Sequence, residues 1–324
     1  MKRIYLICLL LLGFSGWVIA QTGAAGMAAT VMRIWKDSLV VQSGTPVRWS
    51  YDQGVILDGF TALWKRTGDP RYFQYIQRSM DFFVDDNGNI RTYHLKDYNI
   101  DNIKNGHALL TLYKATGKHK YKLAVDHLRE QLRGQPRTSE GGFWHKQRYP
   151  YQMWLDGLYM GEPFYAGYAA MFHEDSAFRD ITRQFVLMET HARNAATGLL
   201  YHAWDESRQQ RWANKVTGQS PNFWGRAMGW YAMALVDALD YYPLGDPGKD
   251  SLIAILNRTA AAVKNTRMPP PAAGSRCWTK PAVMVITWKP QPPACSYMRW
   301  RKVCASGICR PATAKWRRKD TPAS

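Results

Sequence analysis

Two stretches decide the fold: ALWKRTGDPRYFQYIQRSM (62–80) and TLYKATGKHKYKLAVDHL (111–128). They align at a period of 49, with Thr67–Gly68 on Thr116–Gly117 and Tyr72 on Tyr121. In each, apolar residues recur at three- and four-residue spacing, a glycine stops the run, and a second amphipathic run begins within a few residues, at Asp69–Pro70 in the first copy. That is the pattern of a helix, a tight turn and a second helix. The same periodicity runs from about Ala28 to Lys264 with no convincing alternating strand. The expected fold is therefore all-α, an array of helical hairpins of about 50 residues each.

Such an array can be an open solenoid or a closed toroid. The first helix of each unit opens with aromatic and polar residues: RWSYDQG (48–54), DYNIDNIKNG (97–106), YQMWLDGLYMGEPF (151–164) and SPNFWGRAMGW (220–230). A toroid aims the same end of every inner helix at one cavity, so the repeat directs Asp52, Asp101, Asp156 and Arg226 to a common place. Trp49, Tyr51, Tyr98, Trp154, Tyr159, Trp224 and Trp230 surround these charges. Aromatic faces beside carboxylates suit a sugar, whose C–H faces stack on rings while its hydroxyls take hydrogen bonds. An Asp held among rings is partly desolvated, which raises its pKa and suits a general acid. Taken singly, each Asp also fits a helix cap or first turn; four matched positions favour the cleft. His202, in LLYHAWDE, fits either the cleft or the surface.

Composition narrows the function classes. The chain has 324 residues and a formal charge of +18, but residues 266–324 carry +11 of it, with four of the five cysteines and nine of the 17 prolines. The remaining +7 is ordinary for a body of this size and forms no basic stripe, so a nucleic-acid partner is not expected. His145, His173, His191 and His202 lack metal-ligand spacing, and no Walker, dinucleotide or GxSxG pattern occurs. No metal and no cofactor are expected. Residues 1–20, with Lys2, Arg3, an apolar run and Val18 and Ala20 before the cleavage point, read as a Sec signal peptide. The expectation is a periplasmic or secreted, monomeric protein with no stable membrane insertion after cleavage.

At WSYDQG, YNIDNIKNGHALLTLYKATG, QPRTSEGGFWHKQRYPYQMWLDGLYMGEPFYAGYA and NFWGRAMGWYAMALVDAL the chain resembles the unsaturated rhamnogalacturonyl hydrolases, glycoside hydrolase family 105, from about Met32 to Lys264. The resemblance implies an (α/α)6 toroid with its cavity at the inner-helix ends, and a place in pectin breakdown after a polysaccharide lyase. It implies Asp156 as general acid and base and Asp101 as the second acidic residue, with His202, Trp224 and Arg226 contacting substrate. The implied reaction is hydration of the 4,5 double bond of an unsaturated galacturonyl residue linked to rhamnose. One carboxylate then serves twice, unlike the paired groups of ordinary glycosidases. Trp49, Tyr51, Asp52 and Trp154 complete the expected substrate-binding set. Other readings are an unsaturated glucuronyl hydrolase for a different lyase product, and an inactive carbohydrate-binding relic.

The resemblance divides the chain into a signal peptide (1–20), a catalytic domain (21–265) and an off-pattern tail (266–324). The tail could be a disulfide-bonded appendage, a basic binding tail or a frameshifted end. Shifting MVITWKPQP (284–292) back by one nucleotide permits GNYLEAS, and the same shift of ACSYMRWRKVCASGICRP (294–311) permits CMFVYAMAKGVRQRYLP. Both resemble the family's final hairpin, which favours a frameshift and an incomplete toroid. Resequencing the DNA around codons 258–270 is expected to reveal the shift. The chain as written is expected to be poorly soluble or inactive and the repaired frame to fold; equal activity and Tm in the two would contradict this.

Overall fold

The computed structural model describes residues 23–36 and 47–266. The expected signal peptide, the tail beyond residue 266 and any closure of the ring by a sixth hairpin lie outside the described residues. A first helix, α1, covers 23–34. It is followed by α2 (Tyr51–Thr67), α3 (Pro70–Asp81), α4 (Gly106–Thr116), α5 (His119–Gly134), α6 (Leu155–Phe172), α7 (Ala177–Ala192), α8 (Gly225–Leu239) and α9 (Pro247–Asn265). None of the described helices is long and apolar enough to cross a membrane.

The sequence repeat is a repeated turn. Gly68 and Gly117 adopt left-handed conformations, with φ of 70° and 67°, and each returns its N–H to the carbonyl of Trp64 or Tyr113. Glycine reaches that region without the clash a Cβ would bring. Thr67 and Thr116 each donate a hydroxyl to the carbonyl four residues back, Leu63 and Leu112, at 2.8 Å. The next helix starts differently in the two copies. Asp69 accepts the Arg71 N–H at 2.9 Å and caps α3 ahead of Pro70, whereas Lys118 supplies no side-chain cap to α5. Asp246–Pro247 repeats the first solution at α9.

Packing sorts the helices into two layers. Helices α2, α4, α6 and α8 stand side by side in that order, and α3, α5, α7 and α9 each cover the inner helix that precedes them. The inner helix α6 is buried at every residue from Leu155 to Ala169, as a helix enclosed on all sides must be. Outer helix α3 instead buries one stripe, Tyr72, Tyr75, Ile76, Ser79 and Met80.

The unbroken helical pattern expected from the sequence requires one correction. Helices α4, α6 and α8 are preceded by long connections, and two of these pair as antiparallel strands, β1 (Gln152–Trp154) and β2 (Ala203–Asp205), with Trp154 opposite Ala203. Three residues are too few to display an alternating period, so the ladder leaves no sequence signal.

Charged groups tie the inner helices together below their starts. Asp58 of α2, only 1% exposed at its side chain, pairs with the equally buried Lys104 and accepts from His107 Nδ1 at 2.8 Å; His107 Nε2 meets the Tyr241 hydroxyl at 2.8 Å. The Lys104 ammonium also lies 3.9 Å from the Tyr159 ring centroid on α6. Removing one partner of a buried ion pair strands the other in a medium that solvates it poorly. Asp58→Ala is therefore expected to cost about 3–5 kcal/mol of stability, read as a lowered midpoint of urea unfolding.

Candidate active site

The starts of the inner helices converge. Tyr51, first residue of α2, marks the meeting point: burial raises its hydroxyl pKa, Asp52, Asp101 and Asp156 raise it further, and Arg226 opposes them. Charges from the beginnings of four separate units therefore act on one phenol, as the repeat predicts.

Asp156 is the second residue of α6 and is almost fully buried. Unsatisfied N–H groups at a helix start favour a carboxylate there. Its Oδ2 lies 3.1 Å from His202 Nε2. The short ladder sets this pair, because the Leu155 N–H donates to the His202 carbonyl at 3.0 Å where β1 runs into α6. His202 is placed between two indoles, with Trp154 at 5.2 Å and Trp224 edge-on at 5.0 Å. Trp154 itself stacks on Tyr149 at 5.2 Å and on His145 at 4.6 Å.

Asp101 sits in a 3-10 turn, Ile100–Ile103, just ahead of α4, and Asn99 caps that turn by accepting the Asp101 N–H. Its carboxylate pairs with the Lys146 ammonium and stands 3.3 Å from His145 Nε2. Burial alone would raise its pKa. The charges and hydrogen bonds of His145 and Lys146 outweigh that and hold it well below the usual carboxylate value. The expected upward shift fails here for this reason: the aromatic surroundings come with an ammonium, Lys146, and an imidazole, His145.

Arg226, second residue of α8, is exposed, with its guanidinium carbon 3.7 Å from the Trp224 ring centroid, and it makes no ion pair among the described residues. Asp52 lies in the first turn of α2, is exposed, and takes a 3.3 Å hydrogen bond from the Ser50 hydroxyl.

Trp49 departs from expectation. It is 4% exposed, packs edge-on against Phe83 at 5.5 Å, and donates its indole N–H to the Asn102 carbonyl at 2.7 Å. Its ring offers no face to a ligand; it anchors the turn that carries Asp101. Two contributors were not assigned from sequence. His145 and Lys146 reach Asp101 because the connection ahead of β1 bridges to Asn99 through Lys146, a pairing with no local signature. Among the described residues, no group of three or more His, Cys, Asp or Glu could hold a metal ion.

The profile of Glycosyl Hydrolase Family 88 matches residues 24–269, more than half of the chain. The chain belongs to this family. It is 29% identical over 205 residues to an unsaturated rhamnogalacturonyl hydrolase, YesR, of Bacillus subtilis (strain 168), covering 61% of this chain and 56% of that protein. A solved glycoside hydrolase from family 105 of C. acetobutylicum ATCC 824 superposes with a TM-score of 0.69 at 44% identity, over 74% of this chain and 64% of that one. A family 88 glycosyl hydrolase from Bacteroides vulgatus shares the fold, with a TM-score of 0.60 at 19% identity over 82% and 74% of the two chains. The architecture is thus the helical toroid of families 88 and 105. The chain spans less than two thirds of the Bacillus and clostridial relatives.

Because the folded-state pKa of Asp101 is depressed, its pairing stabilises the fold at pH values above the unfolded carboxylate pKa, about 4, and the contribution fades as pH falls through the folded value. Asp101→Asn is expected to cost roughly 3 kcal/mol at pH 7, with the difference in unfolding free energy from wild type shrinking below about pH 4. Denaturant titrations at several pH values measure both.

Proposed function

We propose that the chain hydrates the 4,5 double bond of a terminal unsaturated galacturonyl residue and so releases it from rhamnose in rhamnogalacturonan oligosaccharides. The observation that carries this reading is the Asp156–His202 contact at the start of α6, flanked by Trp154 and Trp224, with Arg226 at the adjoining helix start. The relatedness to a Bacillus enzyme named for that activity supports the substrate class.

The chemistry follows from which carboxylate can carry a proton. Asp101 is held as an anion by Lys146 and His145, so the acid role falls to Asp156. Asp156 delivers its proton to C4 of the unsaturated ring, and positive charge develops at C5 and the ring oxygen. The resulting carboxylate then takes a proton from water as the water oxygen bonds to C5, which restores the acid. The C5 hemiketal opens to a ketone, C1 becomes a hemiacetal, and its collapse frees the saturated sugar. No oxidant or metal is consumed. His202 steadies the Asp156 carboxylate between the two transfers.

Arg226 suits the substrate carboxylate, since a guanidinium offers paired donors in a planar fork. Trp154, Trp224 and Tyr51 provide ring faces for the sugar. The anionic Asp101 accepts hydrogen bonds from hydroxyls and helps offset the charge that develops at C5. Action outside the cytoplasm, in pectin breakdown and as a monomer, belongs to the same proposal and rests on the sequence.

Incubation with lyase-digested rhamnogalacturonan is expected to abolish the absorbance of the conjugated uronate and release oligosaccharides ending in rhamnose. Asp156→Asn, which keeps the shape and removes the transferable proton, is expected to reduce kcat at least about a thousandfold. An active Asn variant, or turnover of glucuronyl lyase products alone, would overturn the assignment.

A further inference from the structure

A second acid on α6 takes no part in the cleft described above. Glu162, further along the helix than Asp156, is 2% exposed. Burial, with Asp180 adding to it, pushes its carboxyl well above the ordinary glutamate value against the pull of Arg137 and Arg129. Those two cations are committed elsewhere, Arg137 to Asp180 on α7 and Arg129 to Glu174. Burial therefore favours the protonated form of Glu162, and a neutral carboxyl still needs hydrogen-bond partners.

Glu162 lines a cavity of about 10 Å³, the room open to the centre of a water, together with Ile100, Phe143, His145, Met153 and Leu158. Two polar atoms of this wall are buried without a hydrogen-bond partner among the described residues: Glu162 Oε2 and His145 Nδ1. Gln184, also in the wall, is already engaged; its carbonyl takes the Phe143 N–H and its amide donates to the Gly141 carbonyl and to Asp180. A site of this size takes one water, and a buried water needs at least two polar partners.

The His145 ring is fixed on its other sides. Its Nε2 faces Asp101 at 3.3 Å and its plane stacks on Trp154. Its Nδ1 approaches α6 so closely that a Cβ on Gly157 would come within 2.8 Å. We propose that a single water bridges Glu162 to His145 Nδ1, making Glu162 a positioning residue for His145 and, through it, for Asp101. The Glu162 O–H donates to the water, and the water donates to Nδ1. That places the imidazole proton on Nε2, where it points at Asp101 Oδ1. The inference rests on the assignment of Asp101 to the substrate cleft.

The test uses the full-length chain in whichever reading frame of its tail yields soluble protein. A high-resolution crystal structure is expected to show a water within about 3.2 Å of both atoms. Glu162→Gln keeps a donor and an acceptor of similar shape, so the water and kcat within about threefold of wild type are expected to remain. Glu162→Leu removes both; the water is expected to vanish and kcat to fall about tenfold to a hundredfold through misplacement of Asp101, with KM within about twofold. A purely structural Glu162 gives the opposite pattern, because replacing an unpaired buried acid by an apolar side chain raises Tm and leaves kcat alone. That pattern, or wild-type density with no water between the two atoms, overturns the proposal. If Leu does not fold, the water in wild type and in the Gln variant decides. If wild type leaves unsaturated uronides untouched, the proposed function fails, while the water and the orientation of His145 still judge the bridge.

Discussion

The enclosure of α6 on every side constrains the rest of the structure. From Leu155 to Ala169 the helix has no solvent face, so polar chemistry on it is confined to its start or must be fully satisfied inside. The start has four backbone N–H groups without partners in the helix and the positive end of the dipole. That end of a helix suits an acidic side chain, and Asp156 occupies it. Helices α2 and α8 begin at the same end and contribute Tyr51, Asp52 and Arg226. The candidate cleft is where the starts of the inner helices meet water.

Two carboxylates of similar sequence setting meet different neighbours. Asp101 faces Lys146 and His145 and is fixed as an anion. Asp156 faces one imidazole, His202, across 3.1 Å, with indoles on either side. In the proposed reaction this contrast separates a fixed charge from a proton carrier, so that one site stabilises positive charge and moves a proton at the same pH. The division depends on backbone pairing: the Asn99–Lys146 bridge delivers the cation to one Asp, and the β1–β2 ladder delivers the imidazole to the other.

What could be read in the sequence was local. Thr67–Gly68 and Thr116–Gly117 announce their hairpins because the cap geometry is settled within five residues of chain. Asp52, Asp101, Asp156 and Arg226 could be grouped because a repeat places equivalent positions at equivalent ends. Trp49 was misread for a related reason. It stands ahead of Ser50, the residue that caps α2, and helical periodicity says nothing about where a side chain in the preceding extended segment points. Lys146 was invisible, since it meets Asp101 from 45 residues away and no periodic pattern links the two. The ladder beside His202 leaves no such signal, because each of its strands is three residues long.

The serial packing of the hairpins has a kinetic consequence. Each outer helix covers the inner helix just before it, and each inner helix touches the next one along, so most of the scaffold forms through contacts between chain neighbours. Topologies of that kind have low contact order and collapse quickly. The cleft obeys a different clock. The contact between His107 of α4 and Tyr241, just past α8, spans 134 residues and that between Tyr159 of α6 and Asp58 of α2 spans 101, so these ties close long loops. The scaffold can therefore grow hairpin by hairpin during synthesis, whereas the grouping of Tyr51 with Arg226 waits until α8 has joined the stack.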